Sequence, residues 1–166
     1  MPVNPAACQG IGAAVGITAS PGMVLQAVLF PFLLVMVSAC DIKNREIPDS
    51  LQAAIALLSL LHFSPWDLAG AFVALPYLLV GLAGTGPGGI GGGDIKLAAA
   101  MGIVLGLPSG VAASVMGLSA FIVYGLICSC VRRLMGKKGR TAHPAGPFLA
   151  AGAAIAYFME IGGWTI

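Results

Sequence analysis

Residues 22–40, GMVLQAVLFPFLLVMVSAC, run for the thickness of a bilayer without one charged side chain. An α-helix needs about 20 apolar residues to cross the hydrocarbon core, and a backbone held there must satisfy its own hydrogen bonds. The runs 68–86 and 109–131 meet the same condition, as does 145–163 with a single acid, Glu160, near its far end. Two shorter apolar runs complete the pattern, 49–64 between Pro48 and Pro65, and 95–107 between Asp94 and Pro108. Helices are the economical reading for both, because lipid offers no partner to an open backbone. Charged residues make up 8% of the 166, against about 25% in an average soluble domain. Mean hydropathy is +0.98. The chain is expected to be an all-α integral membrane protein. About six transmembrane helices would form one domain over 22–166, the count following from span length. Residues 1–21 contain no Lys or Arg and so lack the basic start of a signal peptide. They are Gly/Ala-rich, end in Ser20-Pro21, and read as a tail or interfacial segment.

Charge placement gives an independent orientation. With six spans and the N-terminus outside, the inner connections hold Lys43 and Arg45, then Lys96, then Arg132, Arg133, Lys137, Lys138 and Arg140. Those are all 8 basic residues of the chain. The outer connections, near 63–67 and 107–109, hold none. Lys and Arg collect on the cytoplasmic side, so removing one span would scatter a one-sided pattern. Trp66 and Trp164 fall at the outer interface, where amphipathic rings settle. Short basic connections of this kind imply a lipid bilayer as partner and no nucleic acid. Oligomeric state is not encoded legibly.

The four cysteines, Cys8, Cys40, Cys128 and Cys130, form no CxxC pair, and the spacing of a zinc site is missing. No metal and no cofactor are expected. His62 and His143 lie near the outer end of the second helix and in the last basic loop; neither reads as catalytic.

The acids carry the chemistry. Asp67 and Glu160 fall outside, while Asp41, Glu46, Asp49 and Asp94 fall inside. Asp41 closes the first apolar run in SACDIKNREIPD, and Asp94 opens the fourth in GGGDIKLAAAMG. Ionisable groups at such depth are costly and face a bundle interior, so two at matching depth on different helices can meet. Asp94 suits an N-cap, where its carboxylate accepts backbone N–H groups. Asp41 lies at a helix C-terminus, whose dipole disfavours an anion. Two carboxyls brought within a few ångströms share a proton. That is the arrangement for water activation, one acting as base and the other, protonated, polarising a carbonyl. Gly91, Gly92 and Gly93 have no side chains, so they let backbone approach closely and admit conformations other residues resist. Exposed backbone there could pair with an extended peptide as a sheet edge does. Lys43, Arg45 and Lys96 flank the acids; they are either topogenic charges or groups that favour the ionised carboxyls or hold a substrate acid. Ile47-Pro48 starts the second helix, with Pro48 at its first position.

These residues resemble the type IV prepilin peptidase family. DIKNREIPD (41–49) is similar to its first aspartate motif, GGGDIKLAAAMG (91–102) to its GxGD motif, and HPAGPFLAAGA (143–153) to its Pro-x-Gly-Pro-Phe segment, here Pro144, Ala145, Gly146, Pro147 and Phe148. The resemblance implies an intramembrane aspartic endopeptidase of the bacterial inner membrane with Asp41 and Asp94 as its catalytic pair. Gly91, Gly93, Lys43, Pro48, Lys96, Pro144, Gly146 and Pro147 would support the site or the substrate. It implies prepilin or pseudopilin substrates, cut after a glycine at the end of a basic cytoplasmic leader. Long members of the family also carry paired CxxC motifs and methylate the new N-terminus; the chain resembles the short, peptidase-only form of Flp/Tad-type pilus systems. Two other functions are compatible with acids in a membrane: a transporter or proton pathway, and a non-catalytic scaffold for pilus assembly.

Overall fold

A computed structural model describes residues 21–62, 64–83, 91–136 and 144–163. The expected N-terminal tail up to Ser20, most of the last basic loop with its Lys137, Lys138, Arg140 and His143, and Trp164 lie outside the described residues.

Every element among the described residues is helical. α1 spans Pro21–Asn44, and α2 spans Asp49–Leu58, prolonged by a 3-10 turn, Ser59–His62. A 3-10 segment, Pro65–Ala74, leads into α3, Leu75–Ala83. α4 covers Gly92–Leu134, and α5 covers Gly146–Ile161. Three helices are long and apolar enough to cross a membrane: Pro21–Asn44, Pro65–Ala83 and Gly92–Leu134. Asp49–Leu61 and Gly146–Ile161 are shorter apolar helices.

α4 is not one rod. Gly106 interrupts it with φ 73° and ψ 172°, a conformation essentially reserved for glycine, and Pro108 follows within the same break. The chain reverses there. A Cβ built on Gly110 would lie 3.1 Å from the Cα of Gly102, whereas eight residues of unbroken helix would separate them by about 12 Å. α4 is therefore a helical hairpin with a first arm, 92–105, and a second arm, 107–134. Pro108, read from the sequence as a boundary, marks the turn.

The small residues of the hairpin explain how it packs. A methyl group on Gly70 would collide with the carbonyl of Gly102, which places the Pro65–Ala74 segment backbone to backbone against the first arm. A Cβ on Gly117 would come within 2.7 Å of the Phe148 carbonyl, and one on Gly152 within 2.8 Å of the Gly117 nitrogen. α5 thus lies directly on the second arm. Where lipid replaces water as solvent, such close approach stands in for the hydrophobic effect as the association force. Phe30, Val37, Ile55, Leu97 and Met101 fill the centre and are fully buried. The rings of Phe30 and Tyr157 tie α1 to α5 at 4.9 Å between centroids. The outer surface is as apolar as the centre: Val35, Leu82, Leu126 and Leu134 are all exposed, the pattern of a protein whose outer face meets acyl chains. Trp66, expected at an interface, is 84% exposed.

Five apolar helices, one of them folded into two arms, give six rods among the described residues. Their contacts fix alternating directions. At one end Gly22 of α1 lies against Leu61, Gly106 lies against Asp67, and Glu160 reaches Ser109 and feels the charge of Asp67. At the other end Asp41, Ile47, Gln52, Gly93 and Gly146 converge. The described basic residues Lys43, Arg45, Lys96, Arg132 and Arg133 all belong to this second end.

Candidate active site

Asp41 sits one turn before the end of α1, not at its last residue, since the helix continues to Asn44. It ends where Arg45 turns left-handed, with φ 56°, while its N–H still donates to the Asp41 carbonyl at 2.9 Å. The Asp41 side chain is 7% exposed. Its Oδ2 accepts a hydrogen bond from the Gly146 N–H at 2.8 Å. Gly146 is the first residue of α5, and that helix has no side-chain cap of its own and no acid in its first turn. The carboxylate therefore caps α5 from another helix. The C-terminal dipole of α1 disfavours an anion, and the N-terminal dipole and free N–H groups of α5 favour one. A Cβ on residue 146 would sit 2.6 Å from the same oxygen and 3.0 Å from Cγ, so only glycine admits this contact. Pro147 follows in the first turn of α5, where a missing N–H costs nothing. Pro144 and the Ala145 N-cap are half-buried beside it.

Asp94 stands in the first turn of α4 but is not its N-cap. That position belongs to Gly91, and Asp94 is the third helical residue. The Gly91 carbonyl accepts the N–H groups of Asp94 at 3.0 Å and Ile95 at 3.4 Å. The Asp94 carboxylate lies beside the backbone of Gly91, its Oδ2 3.6 Å from where a Cβ on Gly91 would be. Asp94 is half-buried and close enough to Asp41 for the charge of one to act on the other. The hydroxyl of Tyr77, on α3, is within the same electrostatic reach of Asp94, and Ser114 of the second arm neighbours it.

The glycines before Asp94 have a role other than strained backbone. Gly91, Gly92 and Gly93 are absent from the positive-φ residues. A Cβ on Gly91 or Gly93 would make ordinary contacts, 3.6 Å to Asp94 and 3.5 Å to Ile47, and one on Gly92 would meet nothing within 4 Å among the described residues. Gly91 and Gly92 are exposed and leave backbone open beside an acid, while Gly93 is half-buried against Ile47 and Gln52.

Of the flanking residues, Lys96 turns away from the acid pair. Its Nζ binds Asp49 Oδ1 at 2.7 Å in an exposed ion pair, which neutralises one charge of the basic rim. Lys43 is exposed in the last turn of α1. Pro48 is the N-cap of α2 rather than its first helical residue, with its carbonyl accepting the N–H of Leu51 at 3.1 Å. Gln52, which belongs to none of the sequence motifs, also lies at this end of the bundle. It is 4% exposed, and its Nε2 donates to the carbonyls of Ile47 at 3.4 Å and Gly93 at 3.2 Å. A lone polar residue in an apolar run, LQAAIALL, was the available signal. No cluster of three or more His, Cys, Asp or Glu able to hold a metal occurs among the described residues.

An all-helical protein with apolar outer faces and two acids converging at one end of its bundle defines the class. Residues 27–131 match the type IV leader peptidase family, and the chain belongs to that family. The match includes both aspartate segments and ends before the Pro144–Phe148 segment. The chain is similar to a prepilin leader peptidase/N-methyltransferase of Bacillus subtilis, 36% identical over 138 residues, covering 79% of this chain and 54% of the relative. It is similar to proteins of the same description from Pectobacterium carotovorum, 33% identical with 89% and 56% covered, and from Aeromonas hydrophila, 32% identical with 88% and 53% covered. The chain thus spans about half the length of these curated relatives. No solved structure matches it.

Proposed function

We propose that this chain is an intramembrane aspartic endopeptidase that removes the leader peptide from prepilins or pseudopilins. The observation that carries the proposal is that Asp41 of α1, held by the Gly146 N–H, and Asp94 of α4 come within reach of each other's charge at one end of the bundle. One carboxylate takes a proton from water, and the oxygen so activated adds to the scissile carbonyl carbon. The other carboxyl, protonated, donates to the carbonyl oxygen as negative charge develops there. The tetrahedral intermediate collapses, the C–N bond breaks, and the departing amine takes up a proton. One water is consumed, and a carboxylate and an amine remain.

The exposed Gly91 and Gly92, without side chains, leave room beside Asp94 for a substrate held as an extended strand, since a helical substrate hides its carbonyls. The six rods cross the membrane in alternation, with the N-terminus outside and the acid-bearing end at the cytoplasmic face of the inner membrane. The grouping of described basic residues at that end supports this orientation. A basic leader left in the cytoplasm by an apolar pilin helix would arrive at this end.

The test is cleavage by purified protein in detergent of a synthetic precursor whose basic leader ends in glycine before an apolar helix. Mass analysis should find one cut, after that glycine, and neither Asp41→Asn nor Asp94→Asn should produce it. Full activity in either variant contradicts the proposal.

A further inference from the structure

We infer that Gln52 is a positioning residue for the acid pair, a side chain that locks the segment after Asp41 to the turn before Asp94. This inference rests on the peptidase reading above.

Gln52 belongs to α2, which carries neither acid. Its amide nitrogen nevertheless spans both acid-bearing segments. The Ile47 carbonyl, 3.4 Å away, belongs to the loop that follows α1, and the Gly93 carbonyl, 3.2 Å away, belongs to the residue directly before Asp94. Both partners are acceptors, so the amide orientation is fixed by chemistry: a flipped side chain would set its oxygen against two oxygens. Ile47 completes the clamp from the apolar side, its Cβ lying 3.5 Å from where a Cβ of Gly93 would be. A turn of three consecutive glycines has few side-chain contacts of its own to fix its path. The Gln52 amide supplies one from outside and so sets where the first turn of α4, and Asp94 with it, stands relative to Asp41.

Packing alone does not account for this residue. Gln52 is 4% exposed, and its Oε1 is buried with no hydrogen-bond partner among the described residues. A half-satisfied buried amide is a poorer stabiliser than an apolar side chain of the same shape. Its value lies in the two carbonyls it holds.

Gln52→Met keeps the length and volume of the side chain and removes both donors; Gln52→Asn keeps the amide but withdraws it by one methylene. With the synthetic precursor as substrate, each variant should lower kcat about 10- to 100-fold and leave KM within about twofold, because misplacement by an ångström penalises the chemical step and spares binding. The thermal midpoint in detergent should stay near that of the parent protein. Parental kcat in both variants, or a kcat loss matched by loss of folded protein, overturns the inference. Amide hydrogen exchange gives a readout that needs no substrate. Exchange across 91–96 should rise about tenfold or more in Gln52→Met while the second arm of α4 is unaffected. Unchanged exchange there overturns the inference. Parent protein and Asp94→Asn are run on the same substrate. If the parent does not cleave, or Asp94→Asn does, the peptidase reading fails and the exchange result alone decides the role of Gln52.

Discussion

The Asp41 carboxylate and the Gly146 N–H, 105 residues apart in the chain, meet at 2.8 Å in the buried end of the bundle. Three sequence segments that read as separate motifs become one structure through this contact. The first supplies the acid, the third supplies the helix N-terminus that holds it, and the second places Asp94 within reach of its charge. A carboxylate at the C-terminal end of its own helix is stabilised by the N-terminal end of another.

Gly146→Ala therefore tests the assembly with a single methyl group. Its Cβ would press on Asp41 Oδ2 and Cγ, displacing the carboxylate without altering its chemistry. Peptidase activity should fall about 10- to 100-fold on the scale expected for a misplaced catalytic group, and precursor binding should be retained. Kinetics on the synthetic precursor check this; unchanged kcat would mean that the contact is dispensable.

Gly106 should be the least replaceable residue of the hairpin. Its φ of 73° with ψ of 172° is strained for any side chain, and Gly106→Ala should cost about 1–3 kcal/mol. The chain would be expected to straighten locally and loosen both arms. Thermal unfolding in detergent measures the loss. Gly125 provides the contrast: it lies inside the second arm, and a Cβ there meets nothing within 4 Å among the described residues. Gly125→Ala should be neutral or stabilising by about 0.5–1 kcal/mol.

Gly70→Val should weaken the packing of the Pro65–Ala74 segment against the first arm, because that interface has backbone where a side chain would go. Overpacking of this sort costs about 1–3 kcal/mol. The unfolding midpoint should drop while the Asp41–Gly146 end, on other helices, keeps its geometry. Loss of activity should then follow loss of folded protein and no more.

Lys96→Ala should change little. The Lys96–Asp49 pair is exposed, with side chains 58% and 75% accessible, and pairs of this kind contribute at most about 1 kcal/mol. Activity within about twofold of the parent is expected on the same ground. A large loss would give Lys96 a role toward substrate that its ion pair does not suggest.

Much of the fold was legible because lipid is a demanding solvent. Uncharged runs of sufficient length announce α1 and the second arm of α4, and Pro108 announces the break between the arms, since proline disrupts a continuing helix. What pattern could not supply was register. Three glycines offer equivalent places to begin a helix, so Asp94 reads as a cap when it lies three residues past one. The 3-10 segment Pro65–Ala74 crosses the first arm closely at Gly70 and Gly102, a tertiary contact. Asp41 looked unfavourably placed because its partner lies on α5. Lys96 looked like a neighbour of Asp94 because Asp49 is 47 residues away. In each case the missing information is which faces of two helices meet, and composition does not encode that.

In the proposed mechanism one water is held between the carboxyls of Asp41 and Asp94. Binding of a precursor peptide with a hydroxyl-bearing isostere in place of the scissile amide measures it directly, since that hydroxyl occupies the water's position and needs both acids. Calorimetry in detergent should find tight binding to the parent protein and its loss in both Asp41→Asn and Asp94→Asn. Equal binding by the parent and either variant would contradict a shared water and with it the paired-acid mechanism.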